Sequence, residues 1–254
     1  MILQVVESPL ITPHSHEPSN GAKFDFVFTY AHQPTCDSRY YCYRIPNCQD
    51  FEEADIPFSE RRCIVMVNSN KVEGWFGSSR VGTRKFARAA EKKPNSVLDV
   101  YGAGWRGETI TWLPIARPKE YRCAEEDVLV DREAVAEYRQ KIPLIANYRF
   151  GVATENYRGT KGYISEKLID VMLAGTVPIY LGEESVDEVI PSGSFVDARK
   201  FGSHEAILGY LVNCPESEWQ EMRAEGQSFL ASESATVFSV SAFAETAMEI
   251  LHKL

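Results

Sequence analysis

Residues 155–167 read E-N-Y-R-G-T-K-G-Y-I-S-E-K and concentrate the groups that handle a charged ligand. Two carboxylates, Glu155 and Glu166, flank the amide of Asn156 and the phenols of Tyr157 and Tyr163. Gly159 and Gly162 allow a ligand to approach the backbone closely. Ser165 is of the type that N-caps a helix, which would place Glu166 and Lys167 in the first helical turn. A cation there opposes the helix macrodipole, which favours an anion by ~0.3–1 kcal/mol. Two readings follow. Lys167 and the free N–H groups share an anion such as a diphosphate, or the lysine stem carries its ammonium out to water.

A second concentration of charge lies in residues 80–93, where Arg80, Arg84, Lys85, Arg88, Lys92 and Lys93 face one acid, Glu91. Arg80 or Arg84 could fork onto phosphate oxygens; otherwise the stretch is a solvated helix face. The chain as a whole has 27 Lys and Arg against 36 Asp and Glu, a net charge of −9. That balance argues against a general nucleic-acid binder but leaves room for a positive pocket. Cys36, Cys42, Cys48, Cys63, Cys123 and Cys214 form no dense framework, so free thiols in a reducing, cytoplasmic setting are expected. His14, His16 and His32 precede the first three cysteines, but the closely paired ligands of a structural zinc site are missing. No metal site is therefore expected.

These groups need a scaffold. At 254 residues and 44% hydrophobic content, the chain can form one large domain or two small ones. No apolar run reaches the roughly 18–20 residues of a membrane-spanning helix, and the first ten residues lack the basic start of a signal peptide. Residues 3–6 and 24–30 (F-D-F-V-F-T-Y) read as strands. Residues 8–22 read as a loop and 31–60 as irregular, with a boundary near residue 60. Beyond it, apolar runs at 63–68, 97–101, 148–153 and 177–181 read as buried strands. Helices are expected over 80–92, 132–140, 165–174, 204–213, 216–230 and 240–254, with Ile164, Leu168, Val171 and Met172 on one face of the third and Gly175 as its stop. Strand–helix alternation over 60–200 predicts an α/β fold with a parallel sheet. Ligands in such sheets sit at the carboxyl ends of strands, near helix N-termini.

Phe150–Gly182 (F-G-V-A-T-E-N-Y-R-G-T-K-G-Y-I-S-E-K-L-I-D-V-M-L-A-G-T-V-P-I-Y-L-G) resembles the donor-binding signature of the α1,3/α1,4-fucosyltransferase family. Its continuation into Ile190, Pro191, Ser194 and Phe195 is similar too, as are Ser69-Asn70, the Leu98–Gly102 stretch and Glu7-Ser8-Pro9 followed by F-D-F-V-F-T-Y. The resemblance implies an inverting transferase that uses GDP-fucose, with a GT-B fold of two Rossmann-type domains. It would divide the chain into a reduced acceptor-side lobe, 1–60, and a donor domain with C-terminal helices, 61–254.

By position, Glu166 matches the glutamate on the donor ribose, Lys167 the lysine on the diphosphate, and Tyr163 and Asn156 residues lining the donor pocket. Glu155, Ser69 and Asn70 belong to the same donor-side set. Arg84 best matches the arginine on the phosphates, with Arg80 its rival. Glu7 matches the catalytic base; Asp37 and Glu155 are next in line. Thr154 and Ser165 depart from the family's Phe and Thr at those positions. No D-x-D pair appears in a suitable loop, so no metal is obligatory and a divalent cation would at most stimulate. The partners implied are GDP-fucose and a glycan acceptor. Another nucleotide-sugar transferase and a non-catalytic GDP-sugar-binding module stand as alternatives. Phe24, Phe26 and Phe28 need a covering layer, expected from residues 240–254 or from a second copy of the chain in a homodimer.

Overall fold

The computed structural model of the protein describes residues 1–9, 11–30, 37–47, 56–68, 79–93, 97–102, 141–157 and 161–252. Among them run two parallel sheets. The first has order β1-β2-β3, from Ile2–Val5, Phe26–Thr29 and Tyr40–Cys42. The second contains β4 (Arg62–Val67), β5 (Leu98–Tyr101), β6 (Tyr148–Thr154), β7 (Val177–Leu181) and β8 (Val196–Asp197), in the order β5-β4-β6-β7-β8. Every strand pairing in both sheets is parallel.

The helices are α1 (Pro18–Gly21), α2 (Ser79–Glu91), α3 (Glu166–Leu173), α4 (His204–Asn213), α5 (Glu216–Leu230) and α6 (Val240–Leu251). Residues 141–145 are also helical. The second sheet is covered on both faces. On β4, Ile64 and Met66 pack in a cluster with Phe86 of α2 and Leu208 of α4, while Val65 joins Leu168 of α3 and Phe229 of α5. This is the period of two that a strand imposes. Burial on both faces is why these strands read as continuous apolar runs rather than alternating ones.

Three elements depart from expectation. The 8–22 stretch holds a short 3-10 helix, Pro13–His16, and the single turn α1, each with a proline in its first turn, where a missing N–H costs nothing. Tyr40–Cys42 is a strand inside the stretch expected to be irregular; three residues are too few to show a period. α3 is buried all round rather than on one face, from Leu168 through Leu173. Its end is as expected: Gly175 has φ 63°, and N–H groups of Gly175 and Thr176 return to the carbonyls of Met172 and Val171, a Schellman closure. The helix expected over 132–140 lies outside the described residues.

α6 leaves the second sheet and covers the first. Phe243 lies 5.1 Å from the Phe28 ring and 5.4 Å from Tyr43, and Ile250 is buried in the same cluster. The aromatic face of β2 thus finds its layer within the chain.

Candidate functional site

β6 ends at Thr154, and the next residue, Glu155, is 1% exposed. Its Oε1 accepts the Ser165 N–H at 2.8 Å, and its Oε2 accepts the Ser165 hydroxyl at 2.6 Å. The Lys167 ammonium stands 3.5 Å from Oε2 and donates to Ser165 Oγ at 3.2 Å. Ser165 is the N-cap of α3, as its type predicted, accepting from the Lys167 N–H. Gly182 makes room for this cluster: a Cβ there would fall 2.5 Å from Glu155 Cγ and 2.4 Å from the Tyr180 hydroxyl.

Lys167 therefore folds back in front of the helix N-terminus instead of reaching water, with 19% of its side chain exposed. Burial works against its charge, but Glu155, Glu166 and Glu7 outweigh that and hold its pKa above the usual lysine value. Burial pushes the Glu155 carboxyl up, more than Lys167 and Ser165 pull it down. Burial also acts on Glu166, yet Lys167 and Lys141 prevail and keep it below the usual carboxylate range. The result is an ammonium held against the N-terminus of α3 and neutralised by acids. An entering anion would meet that ammonium and the positive end of the α3 dipole together.

The first sheet delivers Glu7 to this cluster. Glu7 lies two residues beyond the end of β1, and its Oε2 accepts the Tyr163 hydroxyl at 3.4 Å. Its carbonyl is gripped by the Tyr30 hydroxyl at 2.9 Å and lies 2.8 Å from His16 Nε2. The Tyr30 and Tyr163 rings pack at a tilt of 51°, with centroids 4.9 Å apart. Burial, then Glu155 and Glu7, raise the Tyr163 phenol well above its usual range, so it remains an O–H donor to Glu7.

Further contacts join the two sheets. Asn47 Nδ2 donates to Asp170 Oδ1 at 2.8 Å and to the Glu166 carbonyl at 3.3 Å. From the second sheet's own side, Lys141 Nζ holds the other oxygen of that carboxylate, Asp170 Oδ2, at 2.5 Å. Arg44 Nη1 donates to the Gly162 carbonyl at 3.1 Å. Sequence reasoning passed over Arg44, Asn47 and Asp170. Asp170 alone carried a signal, an acid amid the apolar residues of L-I-D-V-M-L.

Glu7, Glu155, Tyr163, Glu166 and Lys167 are thus one cluster, although 160 positions separate its ends. Asn156 follows Glu155 and is half-buried. Arg84 is half-buried on α2, and Lys85 and Arg88 on the same helix are exposed. Ser69, Asn70 and the side chain of Arg80 lie outside the described residues. Asp37 is engaged by Arg39, whose Nη2 donates to it at 2.6 Å; that contact holds its carboxyl below the usual range. Among the described residues, no group of three potential ligands could hold a metal ion, and Cys42, Cys63 and Cys214 are free thiols. Also among them, no helix is long and apolar enough to cross a membrane.

Two parallel sheets meeting at their carboxyl edges, with the N-terminus of α3 between them, make a GT-B-like fold. The protein of solved structure "alpha1,3-Fucosyltransferase with GDP-fucose" shares it at a TM-score of 0.52 and 15% identity, over 91% of this chain and 75% of that one. Anabaena Alr3699/HepE, solved with UDP and glucose, shares it at a TM-score of 0.63 and 12% identity, over 100% of this chain and 71% of that one. At these identities the likeness concerns the fold.

The sequence is more particular. Residues 121–223 match the model of glycosyltransferase family 10 (fucosyltransferase), C-terminal part. Mouse 4-galactosyl-N-acetylglucosaminide 3-alpha-L-fucosyltransferase 9 is 31% identical over 143 residues, 54% of this chain and 38% of its own length. The resemblance read from the 150–195 block is therefore borne out. The matched stretches cover 15–38% of the curated relatives' lengths.

Proposed function

We propose that the protein transfers fucose from GDP-fucose to a hydroxyl of a glycan acceptor, inverting the configuration at C1. The observation that carries this reading is the meeting of Glu7, from the first sheet, with the Tyr163–Lys167 block at the head of α3. A base and an anion site from different sheets then flank one reacting carbon.

Lys167 turns from Glu155 to the diphosphate, helped by the positive end of the α3 dipole and by Arg84. Glu166 takes the ribose hydroxyls, while Asn156 and Tyr163 line the sugar side. Ser69 and Asn70, which follow β4 in the sequence, are further donor-side residues by the family resemblance alone. Glu155 acts behind Lys167 as a positioning residue, since its carboxylate is committed to Ser165. The acceptor O–H gives its proton to Glu7 as its oxygen bonds to C1. The bond from C1 to the β-phosphate oxygen breaks on the opposite face, through an oxocarbenium-like state. Fixed cations meet the charge that develops on GDP. This division of labour needs no obligatory metal, though a divalent cation could add to it.

The fold is shared with a protein solved with UDP and glucose, so the fold alone does not choose the nucleotide. Purified protein with GDP-fucose and a lactosamine-type acceptor should yield fucosylated product and free GDP. Turnover with another nucleotide sugar would replace fucose in this reading. Tight GDP binding with no modified acceptor across a glycan panel would make the protein a binding module.

A further inference from the structure

The carboxyl edge of the first sheet delivers a second charged side chain that no motif announces. Glu7 stands two residues past the end of β1, and Arg44 two residues past the end of β3. Both reach the same turn: Glu7 accepts from the Tyr163 hydroxyl, and Arg44 donates to the carbonyl of Gly162. Gly162 has φ 86°, a conformation glycine adopts without strain. That bond uses one of the guanidinium's five donors. Among the described residues no carboxylate lies within ion-pair distance of Arg44. It is half-buried, in a chain with nine more acids than bases.

Arg44 also lines a cavity of about 220 Å³ between β3 and α6, together with Cys42, Tyr43, Val237, Phe243 and Thr246. The other polar groups there are already engaged. The Tyr43 hydroxyl donates to the Val5 carbonyl at 2.8 Å, the Thr246 hydroxyl to Ala242 at 2.9 Å, and the Cys42 thiol to Tyr30. What remains for a ligand is an apolar wall that includes Tyr43 and Phe243, whose rings pack 5.4 Å apart on each other, with Arg44 among the lining residues. Such a site suits a pyranose whose C–H groups meet the apolar wall and whose anionic group turns to the fork of Arg44.

We propose that this cavity is an acceptor subsite, in which Arg44 binds a carboxylate or phosphate on the sugar adjoining the one that is fucosylated. The proposal rests on the fucosyl-transfer reading and names its acceptor class. The shared turn at 162–163 makes it geometrically economical: the reacting hydroxyl lies at Glu7, and the neighbouring sugar extends toward Arg44.

The test compares three acceptors at saturating GDP-fucose: a neutral lactosamine-type disaccharide, the same core extended by glucuronic acid, and the same core bearing a phosphate. At least one acidic acceptor should show a kcat/KM at least tenfold above the neutral one, carried by KM and reduced by added salt. Which of the two wins identifies the anion. In Arg44→Gln the ratio should fall to near one, and Arg44→Lys should restore part of it. Calorimetry of the same glycans on the GDP-bound protein gives a readout independent of transfer. Acid-selective binding that disappears in Arg44→Gln, with no transfer to any glycan, would keep the subsite and overturn the transfer reading. Transfer without acid preference in rate or binding would overturn the subsite. So would an Arg44→Gln variant that loses all acceptors equally through kcat, or one that weakens GDP itself tenfold. The first result would mean Arg44 only holds the turn, and the second that it belongs to the donor.

Discussion

Replacing Lys167 with Met keeps most of the apolar stem and removes the ammonium beside the buried Glu155. At 3.5 Å the lost attraction is on the order of 5 kcal/mol with an effective dielectric near 20. Part of it is offset because the ammonium no longer has to be buried or to oppose the dipole of α3. Glu155 then keeps only the two donors of Ser165, and burial already pushes its carboxyl upward. It can escape the penalty by taking a proton. The sign follows from that direction. A carboxyl raised above its unfolded value leaves the fold unharmed below the unfolded pKa and costs stability as pH rises above it. With an unfolded value of about 4.3, the ceiling rises by about 1.4 kcal/mol per pH unit. The Met variant should thus be less stable than the parent by at most about 3–4 kcal/mol at pH 7 and at most about 1 kcal/mol at pH 5. Urea denaturation of both proteins at the two pH values measures this, and adding Glu155→Gln should recover most of the pH 7 loss. The same variant should bind GDP about ten- to a hundredfold more weakly, as expected for one charge-assisted contact. A stability loss equal at both pH values, or one that Glu155→Gln deepens, would refute the assignment of Lys167 as the counter-ion of a buried carboxylate.

Glu7→Gln keeps the shape of the proposed base and should lower turnover by ~10²–10⁴-fold, with GDP affinity within about twofold; steady-state rates and GDP titration check the split. A few-fold loss would move the base elsewhere, and the engagement of Asp37 by Arg39 and of Glu155 by Ser165 leaves both poorly placed. Gly182→Ala drives a methyl into Glu155 and Tyr180, so GDP affinity should fall more than about tenfold; nucleotide titration shows it. Ile250→Ala, at a position 1% exposed under the first sheet, should cost about 2–4 kcal/mol in denaturant unfolding. A near-neutral value would show that α6 does not hold that sheet.

The second sheet and the head of α3 were legible because their signals are local. Val177–Leu181 and Tyr148–Thr154 are apolar runs between turn residues. The Ser165 cap, its helix and the Gly175 stop occupy eleven consecutive positions that need no distant information. The pairing partner of Lys167 was not legible. Spacing left it between water and an anion, and only folding brings Glu155 under it. The contacts of Arg44 with Gly162 and of Asn47 with Asp170 span 118 and 123 positions, and no periodicity encodes such a meeting. Tyr40–Cys42 was missed because three residues in a proline-punctuated stretch carry too little pattern. For the aromatic face of β2 the sequence implied that something must cover it. The choice of α6 depended on how the chain returns after α5, which is a packing outcome.

The donor site proposed at the head of α3 is tested most directly by titrating the protein with GDP-fucose and UDP-glucose in the same buffer by calorimetry. Placing Lys167, Glu166 and Tyr163 in a guanine-nucleotide sugar site predicts that GDP-fucose binds at least tenfold more tightly than UDP-glucose, with the difference retained by GDP over UDP. Equal affinities, or tighter binding of the uridine nucleotide, would contradict it.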